Sequence, residues 1–162
     1  MEHGLAPGWA EMLQASDLAG VIRQSFFLYP LANTGHVLGI ALIVGAVVAL
    51  DLRLLGFGRG IEPASTSRFL TRIVAFGLLV AVPSGTMMFL ADASALAGNW
   101  VFQMKIVLAG SALVNAILFR AIWGRRLAAW DAAPPSIGRV QILVSLLLWL
   151  GAASSGRLIA YF

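Results

Sequence analysis

The chain has 162 residues, of which 60% are hydrophobic and 11% charged, with a net charge of +4 and no cysteine. A soluble domain carries about 25% charged residues, so there is too little charge here to wet a globular surface. The absence of cysteine excludes disulfides, thiolate metal sites and cysteine nucleophiles.

The mean hydropathy is +0.90 and the pI is near 10.7. In so apolar a chain, basic residues are read first as topology signals. No Lys/Arg-rich run with interleaved aromatics suggests nucleic acid. Residues 1–8 are polar and read as a short tail. Residues 1–17 lack the basic start, apolar core and small-residue cleavage site of a signal peptide. The first apolar span is therefore expected to be the insertion signal and to stay in the product.

From Trp9 to Gln24, apolar Trp9, Met12, Leu13, Leu18, Val21 and Ile22 alternate with Glu11, Gln14, Asp17 and Arg23. That spacing predicts a short amphipathic helix lying at the membrane interface. Four apolar spans follow, at about residues 28–50, 69–91, 100–119 and 140–161. Each is long enough to cross a hydrocarbon core of about 30 Å. Pro30 falls in the first turn of its span, where it is tolerated. Pro83, followed by Ser84 and Gly85, predicts a kink inside the second span. The expected fold is all-α: one transmembrane domain over residues 1–162, a four-helix bundle with the short interfacial helix at its N-terminus.

The first interspan region carries Arg53, Arg59, Arg68 and Arg72, and the third carries Arg120, Arg125, Arg126 and Arg139. These eight of the eleven basic residues lie on one side of the predicted bundle. By the positive-inside rule that side is cytoplasmic. The expected location is a bacterial inner membrane, with both termini and residues 92–99 in the periplasm. The adjacent Asp51 and Arg53 read as a charged pair that ends the first span.

Charge inside a span is costly and marks candidate sites. His36 lies about one to two turns into the first span and Lys105 about one turn into the third. Met87, Met88 and Arg157 lie near the ends of the second and fourth. Alternating span directions bring all five to one outer-leaflet level. His36 suits a metal or haem ligand, or equally an interhelical hydrogen bond. Lys105 and Arg157 suit either snorkelling toward headgroups or gripping an acidic group. Methionines at such spacing are commonly packing residues. One imidazole, thioethers and two cations at one depth fit a b-type haem, with axial ligands and two propionates. Copper(I) on His36 and the methionines is the alternative.

Three stretches carry a resemblance: residues 29–39 (YPLANTGHVLG), residues 51–56 (DLRLLG) and residues 156–160 (GRLIA). They look like a bacterial family of short four-span inner-membrane proteins with no assigned activity. His36 and the Phe102-Gln103-Met104-Lys105 start more loosely resemble the haem-containing membrane protoporphyrinogen oxidases and the copper-resistance D family. The oxidase resemblance implies His36 and Lys105 as haem-site residues. With a single histidine inside the spans, no more than one His-ligated haem is expected.

Three functional readings stay open at this point. They are a haem protein passing electrons to a periplasmic redox partner or oxidising a substrate, a copper-handling protein, and an accessory subunit among other membrane subunits. Glycine-bearing helix faces also leave room for a homo-oligomer.

Overall fold

In lipid every backbone polar group must find its partner inside the segment, so an apolar stretch of this length has little choice but to be helical. The computed structural model describes residues 7–161 and contains no strand among them. The expected N-terminal tail lies largely outside those residues. Two short helices, α1 (Gly8–Gln14) and α2 (Asp17–Gln24), precede α3 (Leu28–Leu55) and α4 (Pro63–Ala91). The short α5 (Ala93–Gly98) leads into α6 (Trp100–Trp123), which continues as a 3-10 turn over Gly124–Ala129. Finally α7 (Ser136–Leu158) ends in a 3-10 turn over Ile159–Tyr161. Helices α3, α4, α6 and α7 are long and apolar enough to cross a membrane, and the protein is a multi-pass membrane protein.

The single amphipathic helix expected over residues 9–24 is two helices. Ser16 makes the break: its Oγ donates to Leu13 O (2.6 Å) and accepts from Ala19 N (3.3 Å). A serine that caps a new helix competes with continuation of the old one. The pair is tied to the end of α4 and the start of α5. Arg23 Nη1 donates to Ala91 O (3.1 Å), and Gln14 Oε1 accepts from Ser94 N (2.8 Å). Met12, Leu18 and Val21 remain exposed, which keeps the apolar stripe that suits an interface.

Around the bundle, α4 packs on α3, α3 on α7, and α7 on α6. The α3–α4 contact is the closest. A Cβ added at Gly39 would lie 2.8 Å from both Cβ and N of Ala81 and 2.9 Å from Gly77 O. One added at Gly77 would lie 2.8 Å from Ile43 Cγ1. Two backbones thus touch where neither residue has a side chain, the usual way helices associate in lipid. Gly45, a comparable glycine by sequence, faces open space. Large apolar side chains such as Val37, Leu79, Val107 and Leu147 point outward. Pro83 does not break α4, which is helical from end to end.

The far end of the bundle is closed by loops. Gly56, at φ +112°, ends α3 in the left-handed conformation that glycine adopts without strain. Its N–H reaches Arg53 O (3.1 Å) and that of Phe57 reaches Leu52 O (3.0 Å), a Schellman ending. Arg53 is 4% exposed. It donates to Ile61 O (2.6 Å) and grips Asp131 through Nη1 (3.0 Å) and Nη2 (2.5 Å). Trp130, fully buried, donates to Leu54 O (2.9 Å) and fills the space left by Gly138. The expected Asp51–Arg53 pair is therefore not formed. Positions two apart on a helix do not face each other, and Arg53 has taken a partner from the α6–α7 loop.

Two measurements follow. Gly39→Ala is expected to destabilise the detergent-solubilised protein by about 1–3 kcal/mol through overpacking. Gly45→Ala should be neutral or stabilise by up to ~1 kcal/mol. Equal thermal unfolding of the two variants would remove the Gly39–Gly77 contact as the α3–α4 anchor.

The hydrogen-bonded Arg53 guanidinium holds the Asp131 carboxyl below the usual carboxylate range. A group depressed in the folded state contributes stability above its unfolded pKa and loses it as pH falls through the folded one. Asp131→Asn should thus lower the unfolding midpoint at neutral pH, and the gap to the parent should close progressively below about pH 4. A gap unchanged under acid would show that the charge is not what matters.

Candidate functional site

The Gly39–Gly77 approach sets the geometry of the nearest polar group. One turn before Gly39, His36 points across to α4, and one turn after Gly77 is Ala81. His36 Nδ1 lies 2.8 Å from Ala81 O. A carbonyl can only accept, so Nδ1 carries the proton and donates. In a neutral imidazole that leaves Nε2 with its lone pair free to accept.

Lys105 of α6 fills the opposite side. Its Nζ lies 3.5 Å from His36 Nε2. Its aliphatic stem runs beside Gly156 of α7, where an added Cβ would be 3.5 Å from Lys105 Cε. The cluster therefore draws on all four long helices: imidazole from α3, carbonyl from α4, amine from α6 and a glycine from α7. The bland reading of His36, an interhelical hydrogen bond, is what Nδ1 does, and it leaves Nε2 uncommitted to the backbone. Lys105 turns inward rather than out to the headgroups.

Gly85 completes the niche. A Cβ there would sit 2.7 Å from His36 Cε1 and 2.9 Å from Nδ1, so any side chain would displace the ring. Ser84 Oγ donates to Val80 O (2.6 Å) and to Ala81 O (3.3 Å), adding a second contact at the carbonyl that His36 uses. Pro83 has no N–H to give Leu79 O, so the helix here relies more on such side-chain bonds.

The other predicted residues stand apart from this pair. Met88 follows Gly85 by three positions and shares its face of α4, and Met87 follows Ser84 by three. Both are half-buried. Arg157 is exposed, with Nη2 3.5 Å from Tyr161 Oη and its guanidinium 5.6 Å from the Tyr161 ring centre. It faces the bundle surface rather than His36. Above the cluster, Tyr29 Oη donates to Asp92 (3.3 Å), and Asn99 Oδ1 caps α6 at Val101 N and Phe102 N. Among the described residues, no group of three or more His, Cys, Asp or Glu side chains is placed to hold a metal ion.

A second polar group lies at the other end of the bundle. Asp51, which the sequence places at the end of the first span, is 6% exposed and faces the interior, where Ser145 hydrogen-bonds its carboxyl. Among the described residues its Oδ2 has no partner, and neither does Nε1 of Trp149, which is 4% exposed. The available signal was register: Asp51 is four residues beyond Val47, on the face that α3 buries.

Gly85→Ala is expected to push the His36 ring off Ala81 O. In nitrogen-15 NMR of protein with His3 replaced by Gln, the parent should show the Nδ1-protonated tautomer. The variant should drift to the commoner Nε2-protonated form. An unchanged tautomer would break the link between Gly85 and the ring. Compared with family models, with curated proteins and with solved structures, the chain matches none.

Proposed function

We propose that this membrane protein holds a b-type haem at the His36 end of the bundle and serves electron transfer or related redox chemistry. One observation carries the reading: His36 Nδ1 is anchored on a backbone carbonyl at 2.8 Å, so that Nε2 faces the bundle interior. A ligating histidine characteristically gives its second N–H to a carbonyl or carboxylate, which fixes tautomer and ring plane.

Over a bare ion held by imidazole and carboxylate donors, the donor set favours haem. A protein-built metal cage needs three or four donors, and such a cluster of His, Cys, Asp or Glu is missing among the described residues. Haem brings four nitrogens of its own and asks the protein for one or two axial ligands. His36 would supply one, with Met88 the thioether on the matching face of α4. Lys105 now stands before Nε2, so ligation requires its flexible stem to swing aside. Its ammonium would then be available to a propionate. The glycines at 85 and 156 make room for the His36 ring and the Lys105 stem. The bound group would supply one-electron chemistry, while the protein holds the proton on Nδ1 and keeps the site inside the bundle.

The loose resemblance of His36 and residues 102–105 to the haem-containing oxidases supports the same reading. The eight arginines clustered at the Asp51 end favour an orientation with that end cytoplasmic. The His36 end would then face the periplasm in a bacterial inner membrane.

Protein purified in detergent from haem-sufficient cells should show a Soret band and sharp reduced α and β bands. His36→Ala should remove them. Gly85→Ala, which disturbs the second hydrogen bond of the ring, should weaken haem retention by about 10- to 100-fold. A featureless parent spectrum sinks the proposal, and copper in the metal analysis of such a sample would put the copper reading in its place. An unchanged spectrum in His36→Ala would unseat the ligand.

A further inference from the structure

Helices α4 and α6 are neighbours in the ring of four but do not close on each other along their length. They are joined near one end by the Phe89–Phe102 stack, with ring centres 5.5 Å apart and planes at 10°. Near the other end, Arg120 Nη1 donates to Thr71 Oγ1 at 3.0 Å. Between these ties lies a cavity of about 220 Å³, with Val74 and Leu78 on one wall and Leu113 and Ile117 on the other. Ile117 is 59% exposed, so this wall reaches the lipid-facing surface of the bundle.

The inner wall of the cavity includes Asp51 and Trp149. These are the two buried side chains whose polar atoms lack a partner among the described residues: an acceptor at Asp51 Oδ2 and a donor at Trp149 Nε1. Leaving either unpaired in a dry interior is costly. Both side chains line the same mostly apolar cavity, so a small rotation of each would let a single occupant that both gives and takes a hydrogen bond relieve both.

We propose that this cavity binds the aromatic head of a membrane-dissolved hydroquinone, with one hydroxyl donating to Asp51 Oδ2 and a ring oxygen accepting from Trp149 Nε1. The occupant must come from lipid, because the walls are mostly apolar and the opening lies between two membrane-spanning helices. A lipophilic amine would satisfy Asp51 but offers Trp149 no acceptor. A fatty acid could set its carboxylate against Arg120, which also lines the cavity, but a carboxylate has no hydrogen to give Asp51 Oδ2. A hydroquinone carries oxygens at both ends of a flat ring, and its tail can leave between α4 and α6. This site runs from Trp149 in the middle of the bundle toward the end opposite His36, and does not depend on a haem being bound.

The test titrates the full chain in detergent, under reducing and anaerobic conditions, with a decyl-tailed benzohydroquinone, following the heat of binding. A single saturable site is expected. Trp149→Phe keeps an aromatic ring but no N–H donor, and it should weaken binding by about tenfold or more. Asp51→Leu should do the same, with Asp51→Asn, which retains an acceptor oxygen, in between. His36→Ala should bind as the parent does, even where it has lost the Soret band, so the two proposals fail separately. If Asp51→Leu does not yield monodisperse protein, Trp149→Phe decides. Non-saturable uptake, equal affinity in Trp149→Phe, or equally good competition by decanol or decanoic acid would each overturn the proposal.

Discussion

The close approach of α3 and α4 at Gly39 and Gly77 is the contact on which the rest of the bundle depends. In lipid there is no hydrophobic drive to push helices together, because the solvent is as apolar as leucine. What remains is contact between backbones, and a methyl group at either glycine would meet atoms of the other helix within 3 Å. Because the two helices meet there, His36 reaches the carbonyl of Ala81 a single turn along. A wider spacing would leave the imidazole without its anchor and Nε2 without a direction.

The interior of the bundle is polar at two depths and apolar between them. Toward one end are His36 and Lys105, and toward the other Asp51 and Ser145. Ile43, Val47, Ala81 and Trp149 pack in one cluster between those levels. Cofactors and ligands in helical bundles are typically held by side chains projecting inward from facing helices. Both groups follow that pattern, the first drawing on all four long helices and the second on α3 and α7.

The Asp51 end is held by the loops. Arg53 joins the α3–α4 turn to Asp131 in the α6–α7 loop, and Trp130 packs against Phe119 and Trp123 while bonding Leu54 O. Asp51, on a different face of α3 from Arg53, is turned to the interior. At the other end α1 and α2 do similar work through Gln14 and Arg23. The bundle is thus fastened at both ends outside its apolar length, which leaves the gap between α4 and α6 with no need to close.

By itself, the sequence determined that the chain is all-helical, that four segments are long and apolar enough to span, and that a polar element precedes them. Those features depend on hydropathy and length, which each segment carries alone. It also brought His36 and Lys105 to one level, because helix rise converts position into depth. Rotation about each helix axis was another matter, and so was the choice of contact partner. Gly39 and Gly45 look alike in sequence, yet one meets Gly77 and the other faces open space. Asp51 and Arg53 look like a pair, yet a helix sends them to different faces, and Asp131, 78 positions from Arg53, decides which of them is satisfied. The turning inward of Lys105, the outward turn of Arg157 and the unpaired Asp51 and Trp149 are likewise products of packing. Hydropathy places a residue along the membrane normal, whereas only contact between helices fixes the direction in which its side chain points.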